Sequence, residues 1–356
     1  MRIALIKLGA FGDVVRTTSL LPGLRRLDPA MELTWVTASA AIPLIRHHPE
    51  VRHVHTPDEA GDWRDARYDW VISLDDDRAA CHLASQLRAE RLSGGYAAPD
   101  GGLRYTADVE EWFGMGLLRP VEHGGLERAN QLKLDNARTF GEILFDGLGL
   151  PRPVEQPAVR VPAAERQQAE RIVAGLVGAR GRPVVAVNTG AGSRWKYKSW
   201  GEQQTAELGQ RLHDALGAIV LVTGGPEEAS RSAGIVAAAG RPRVLAAPVV
   251  PDLLVFAALL GACDVVVSSD SLALHLAVSQ QVPVVAFFGP TSDAEIDLFG
   301  CGEKVVTPLP CRRCYLRDCD VRPHCMQSIG VERVLGAVAR WIPGAAARPA
   351  TRPAAG

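Results

Sequence analysis

A lysine and an aspartate frame the first turn of the chain, Lys7-Leu-Gly-Ala-Phe-Gly12-Asp13. Ile3 to Ile6 reads as a buried strand, and Asp13 opens a helix after a turn of small residues. A carboxylate at such a junction lies at the carboxyl edge of a parallel sheet, where open α/β sheets bind ligands. In that place Asp13 can take a proton from a substrate hydroxyl. It can equally be an N-cap, its oxygen spent on its own backbone.

Three further loops have the same strand-loop-helix grammar. Asn188-Thr-Gly190-Ala-Gly-Ser-Arg-Trp-Lys196-Tyr-Lys198-Ser-Trp200 combines glycines, which let the backbone approach an anion, with the charges of Lys196 and Lys198. A helix N-terminus follows and adds to phosphate binding. The plain alternative is an ordinary connection with two solvated lysines. Val265-Val-Val-Ser268-Ser269-Asp270-Ser271-Leu-Ala-Leu-His275 ends an apolar strand in hydroxyls and an acid, as suits a diphosphate at a helix head. His275 falls one turn in, on the face of Ser271. Capping by Asp270 or Ser271 is the competing use. Thr223-Gly-Gly-Pro-Glu227-Glu228 closes another strand with acids that can accept from sugar hydroxyls or favour the helix dipole.

Of seven cysteines, Cys81, Cys263 and Cys301 are scattered and read as small buried hydrophobes. Cys311, Cys314, Cys319 and Cys325 crowd one short loop. Four thiolates so spaced suit a closed tetrahedral zinc or iron site, and a reducing compartment argues against two disulfides. Such a site leaves no open coordination position and is assigned to structure. Arg312, Arg313 and Arg317 beside it can meet phosphates, a membrane surface or only solvent.

The elements that must position these groups alternate strand and helix throughout the 356 residues, which predicts parallel sheets covered by helices. The first half reads strand Arg2–Ile6, helix Asp13–Leu27 kinked or divided at Pro22, strands at Glu32–Val36, Val51–His55 and Trp70–Ser73, and helix Arg78–Arg88. A Gly/Pro-rich loop from Gly94 to Gly102 and one long helix, Asn130–Leu148, with Leu134 facing inward, complete it. The prolines of Pro151–Pro162 mark a linker. The second half reads helix Ala163–Val177 and strands at Val184–Val187, Ala218–Val222, Asp264–Val267 and Pro283–Phe288, with intervening helices. Two doubly wound domains then face each other across a cleft: residues 1–155, and residues 156–343 with the Cys-rich loop 311–325; the Ala/Pro/Arg tail 344–356 reads as disordered. A net charge of −1 argues against a nucleic-acid surface, and no apolar run is long enough to cross a bilayer. The chain starts in a strand and not in a signal segment, so a cytoplasmic location is expected. The first turn lacks G-x-G-x-x-G spacing and the second strand ends in Thr37-Ala38-Ser39 without an acid, which disfavours a nicotinamide enzyme.

With these loops placed, the chain resembles glycosyltransferase family 9, the ADP-heptose:lipopolysaccharide heptosyltransferases. The opening strand, Lys7 and Gly12-Asp13, the Lys198-Ser-Trp200 loop, the Thr223–Glu228 turn, and Ser269-Asp-Ser-Leu-Ala-Leu-His-Leu-Ala running on to Phe288-Gly-Pro-Thr291 carry the likeness in order. The resemblance implies a GT-B fold of two Rossmann-like domains, the first for the acceptor and the second for the nucleotide-sugar. It implies inversion at the anomeric carbon without a catalytic metal, Asp13 as base, Lys198 on the diphosphate and Lys7 near the acceptor's acidic groups. The family's Asp-Thr-Gly corresponds to Asp270-Ser271-Leu272, with Leu where the family has Gly. The implied partners are ADP-heptose and a lipopolysaccharide core or other glycan acceptor, met at the cytoplasmic face of the inner membrane. Lys7, Arg16, Arg64, Arg67, Arg88, Arg91, Arg104 and Lys133 offer cations to an anionic acceptor, and only Lys7 is singled out. Two other functions stay open at this point: a sugar-nucleotide epimerase or hydrolase using Glu227 or Glu228, and a nucleotide-sugar-binding protein without transfer activity.

Overall fold

The computed structural model describes residues 1–118, 124–178, 181–192, 196–316 and 318–342. Arg317, the side chain of Lys196 and the tail 344–356 lie outside the described residues. Among the described residues each half of the chain builds one six-stranded sheet. The first contains β1 (Arg2–Ile6), β2 (Glu32–Val36), β3 (His53–His55), β4 (Arg67–Ser73), β5 (Arg88–Ala97) and β6 (Leu103–Tyr105), in the order β3-β2-β1-β4-β5-β6. The second contains β7 (Val184–Asn188), β8 (Ile219–Thr223), β9 (Val244–Ala246), β10 (Val265–Ser269), β11 (Val284–Phe288) and β12 (Gly302–Val306), in the order β9-β8-β7-β10-β11-β12. All neighbours are parallel except β5 and β6.

Both sheets thus share one order, third-second-first-fourth-fifth-sixth, that of the dinucleotide-binding Rossmann fold. Central strands such as β7, β8, β10 and β11 are buried at every residue, as unbroken Val/Ile/Leu runs covered on both faces should be. The order reverses between β1 and β4, and again between β7 and β10. At each reversal the connections leave in opposite directions and open a crevice at the strands' carboxyl ends. Lys7 and Asp75 stand at the first crevice, Asn188 and Asp270 at the second.

Pro22 divides its helix as expected, into Phe11–Thr17 and Leu21–Leu27 with a short 3-10 turn between. Three expectations fail. The helix over Asn130–Leu148 is two helices, Gly125–Asp135 and Phe140–Leu148. Thr139 starts the second with a capping box, its hydroxyl accepting from the Glu142 N–H while Glu142 accepts from the Thr139 N–H. Leu134, expected inside, is 50% exposed. The Gly94–Gly102 segment is not simply a loop. Gly94 and Gly95 lie within β5, where a Cβ on Gly94 would come 1.8 Å from the Ser73 carbonyl oxygen. These glycines serve close strand approach.

Residues 151–162 have no regular secondary structure but are pinned. Arg26 donates to the Pro151 and Pro153 carbonyls, Gln156 to the Val278 carbonyl, and the Ala158 N–H to Thr18 Oγ1. One apolar cluster holds Ile3 and Leu5 together with Val184 and Val266, so packing is continuous between the halves.

Candidate active site

The first crevice is built from charge. Lys7 is 7% exposed, and its Nζ donates to Asp75 Oδ1 at 2.6 Å. Asp75, just past β4, also accepts from the Leu8 N–H. Lys7 is therefore a fixed cation at the floor of the turn, its Nζ 3.9 Å from Asp13 Oδ2. Asp13 is the third residue of the Phe11–Thr17 helix. Ala10 occupies the N-cap, so the capping use of Asp13 is not the one the structure makes. The Asp13 side chain is 35% exposed, and Oδ1 lies 2.9 Å from Arg16 Nη2. Burial pushes its pKa up, but the charges of Arg16 and Lys7 outweigh that and hold it below the ordinary carboxylate value. Asp13 is an anion at neutral pH.

The second crevice presents the opposite arrangement. Lys198, in the 3-10 turn Lys196–Lys198, lies 2.9 Å from Asp270 Oδ2. Burial resists ionisation of Asp270, yet Lys198 brings its pKa down to about 2. Ser271 holds the N-cap of the Leu272–Ser279 helix without a capping bond from its side chain. Its Oγ instead meets Ser268 Oγ at 2.9 Å, and Asn188 Nδ2 donates to it at 3.2 Å and to the Gly190 carbonyl at 2.7 Å. Neither Asp270 nor Ser271 caps. Among the described residues the first N–H groups of this helix carry no side-chain cap, a fit for an anion with Lys198 beside it. Ser269 closes β10 and is 3% exposed. His275 is 7% exposed, and burial lowers its pKa to about 4, so it is neutral.

The two crevices meet. A Cβ on Gly12 would lie 2.7 Å from His275 Cδ2, so the first turn of one half is seated on the helix head of the other. The sequence-predicted set Lys7, Gly12, Asp13, Lys198, Asp270, Ser271 and His275 is thereby brought together. Gly190 borders it through Asn188. Glu228 sits near Gly190 and spends Oε2 on the Gly225 N–H at 2.8 Å, while Glu227 is exposed. Sequence reasoning missed Asp75 and Glu295, and counted Arg16 only among many cations. The signal for Arg16 was its i+3 spacing from Asp13; the other two are joined to the site only by the fold.

None of the seven cysteines, all among the described residues, forms a disulfide. Burial, and then Cys314, Cys319 and Cys311, raises the Cys325 thiol to about 11, which puts the four sulfurs in one locality. No three His, Cys, Asp or Glu side chains among the described residues are arranged to hold a metal ion. Arg313, expected at phosphates, a membrane or solvent, instead binds Asp293 at 2.7 Å and the Asn136 carbonyl at 2.8 Å. Of the other cations, Arg67 pairs with Glu90, Arg91 with Asp108 and Arg104 with Asp100.

The family model of glycosyltransferase family 9 (heptosyltransferase) matches residues 133–323. Lipopolysaccharide heptosyltransferase 1 of Pseudomonas aeruginosa is 25% identical over an alignment of 339 residues that covers 91% of this chain and 88% of that protein. Among solved structures, a family 9 glycosyl transferase from Veillonella parvula superposes with a TM-score of 0.73 at 18% identity, over 96% of each chain. The E. coli ADP-heptose lps heptosyltransferase II superposes at 0.68 with 19% identity, over 96% of this chain and 98% of that one. These likenesses share the double Rossmann-like GT-B frame, and the family match covers more than half of the sequence, so the chain belongs to glycosyltransferase family 9, the heptosyltransferases, and is a glycosyltransferase.

Proposed function

We propose that this enzyme moves a heptose from ADP-heptose to a lipopolysaccharide core acceptor, with inversion and with Asp13 as general base. One observation carries the reading: an ionised carboxylate at the first turn is seated, through Gly12 and His275, against a helix head that has Lys198 beside it and, among the described residues, no side-chain cap. The acceptor hydroxyl oxygen attacks the anomeric carbon, and its proton passes to Asp13. The bond from that carbon to the diphosphate oxygen breaks, and ADP departs with the electron pair. Lys198 and the free N–H groups after Ser271 meet the charge that grows on the leaving oxygen. Asp270 holds Lys198 in place until then. The names of the relatives support heptose, ADP and lipopolysaccharide.

In this reading residues 1–155 take the acceptor and residues 156–343 the donor. The acceptor is lipid-borne, so the reaction runs at the cytoplasmic face of the inner membrane; among the described residues no helix is long and apolar enough to cross it. The four-thiol loop is proposed to hold a structural zinc or iron ion, with no part in transfer. As placed, the thiols gather without forming that cage.

The test is ADP release from ADP-heptose with and without a heptose-deficient lipopolysaccharide. Acceptor-dependent release is expected, with Asp13→Asn keeping donor affinity and losing about 10²–10⁴-fold in turnover, the usual worth of a general base. Release that ignores the acceptor, or full turnover in Asp13→Asn, would refute it.

A further inference from the structure

We propose that Arg16 is the positioning residue of the transfer: it fixes one oxygen of Asp13, leaves the other for the acceptor's proton, and registers this arrangement against the opposite half of the protein through Glu295. The proposal rests on the reading of Asp13 as the base.

The Asp13 carboxylate has few restraints of its own. It makes no cap bond, and Lys7 stands off at 3.9 Å. Arg16, one turn on along the same helix face, reaches Oδ1 at 2.9 Å. Oδ2 is then the oxygen left to receive a proton. A protonated Oδ2 does not disturb the bond at Oδ1, which still accepts from Arg16.

Arg16 is itself confined. Its side chain is 16% exposed. The guanidinium carbon lies 4.9 Å from the centre of the Trp112 ring and 4.5 Å from that of Phe140, two rings set edge to face at 81°. A planar cation packed on two aromatic rings is held in orientation as well as place. Among the described residues its Nε has no hydrogen-bond partner, so these rings and the two carboxylates account for its placement.

The second carboxylate comes from the other half of the chain. Glu295, in the segment after β11, places Oε2 3.8 Å from Arg16 Nη1. Tyr315 donates to Glu295 Oε1 at 3.2 Å, and the Glu295 carbonyl accepts from the Phe140 N–H at 2.9 Å. One guanidinium therefore touches the base on its own helix and an anchored acid across the cleft. A lysine would keep the charge and lose the planar fork that addresses both.

Asp13 is faced by Lys7 from the turn, Arg16 from its own helix, and Asp270 and His275 from the opposing helix head. Arg16 is faced by Asp13, Glu295, Asp270 and Tyr315. Burial is the largest influence on Asp13 and acts to protonate it; Arg16 is the next and opposes it. Loss of Arg16 therefore does two things that a merely structural residue would not do together. It frees the carboxylate to rotate, and it lets burial raise the carboxyl's pKa.

The experiment measures kcat, donor KM and the pH profile of kcat/KM for Arg16→Gln, Arg16→Lys and Asp13→Asn in the full chain, with thermal unfolding alongside. Arg16→Gln should lower kcat about 100-fold, the cost of a reacting group misplaced by about 1 Å. Donor KM should hold within about twofold, since the donor contacts are untouched. The acid limb should move up by about 1–3 pH units, as removal of an adjacent opposite charge requires. Arg16→Lys should keep most of the limb's position and still lose kcat. Wild-type kcat in Arg16→Gln, or a reduced kcat with an unmoved acid limb, overturns the proposal. If Arg16→Gln does not fold, Arg16→Lys decides alone: reduced kcat at constant donor KM upholds it, wild-type kcat overturns it. Full turnover in Asp13→Asn would instead overturn the base reading beneath it, whatever the Arg16 variants do.

Discussion

Gly12→Ala isolates the contact on which the site's assembly depends. The added Cβ would sit 2.7 Å from His275 Cδ2 and 3.3 Å from Nε2. Carbon atoms pack at about 3.5–4.0 Å, so the two must separate by roughly 1 Å. His275 cannot easily retreat, because it is 7% exposed within a helix that packs under β10 and β11. Overpacking of this kind costs about 1–3 kcal/mol. The larger effect falls on chemistry, since Asp13 is the next residue and moves with the turn. A displacement of about 1 Å between a base and its substrate is worth about 10²-fold in rate. The assay pairs acceptor-dependent ADP release with thermal unfolding. Gly12→Ala should lose about 100-fold in kcat with a modest fall in Tm. Gly175→Ala, where nothing among the described residues lies within 4 Å, should keep full activity. His275→Ala removes the obstructing ring, so the Gly12→Ala step should cost far less in that background. An equal loss in both backgrounds would refute the steric reasoning, as would wild-type turnover in Gly12→Ala.

Lys198→Ala removes a charge from the helix head and leaves Asp270 unpaired. Donor KM should rise at least about tenfold, 1.4 kcal/mol, and stability should fall by about 3 kcal/mol as for a broken buried pair. Asp270→Asn in the same chain should recover stability and not donor affinity; recovery of both would show that Lys198 acts only on Asp270. Acid should destabilise the fold in two stages. Burial depresses His275 and His48 to about 4, so the unfolded chain binds more protons between pH 6.5 and 4, and stability is lost as pH falls through that window. Asp270, depressed from 3.8 to about 2, contributes stability above pH 4 that is lost as pH falls through 2. A Tm that stays constant from pH 6.5 to 4 would contradict the first stage. Protein purified reduced and without chelator should carry zinc or iron in proportion to chain, and Cys314→Ser should lose it; metal-free wild type would remove the proposed structural ion.

What the sequence discloses is local, and the site divides along that line. Unbroken apolar runs such as Val184–Val187 and Pro283–Phe288 marked the central strands, because burial on both faces leaves no polar alternation to confuse them. Helix Ala163–Val177 was readable to the residue. The break at Asn136–Thr139 was also written locally, as Thr139-x-x-Glu142, but helical periodicity on both sides overrode it. Gly94 misled for another reason: a glycine required by a neighbouring strand looks the same as one required by a turn. The site residues that were found lie beside a strand end, where type and position are both visible. Glu295 and Asp75 carry no such mark, since Asp75 matters through Lys7 and Glu295 through Arg16. The two sheets have one strand order, so the chain makes two switch-point crevices, and in the proposed function each alone is half a site: an anionic carboxylate beside fixed cations in the first, and in the second a helix head with a lysine and, among the described residues, no side-chain cap. The transfer proposed above requires both at once. The side chains that hold the two crevices in register were bound to be the least legible, because their partners lie in the opposite half of the sequence.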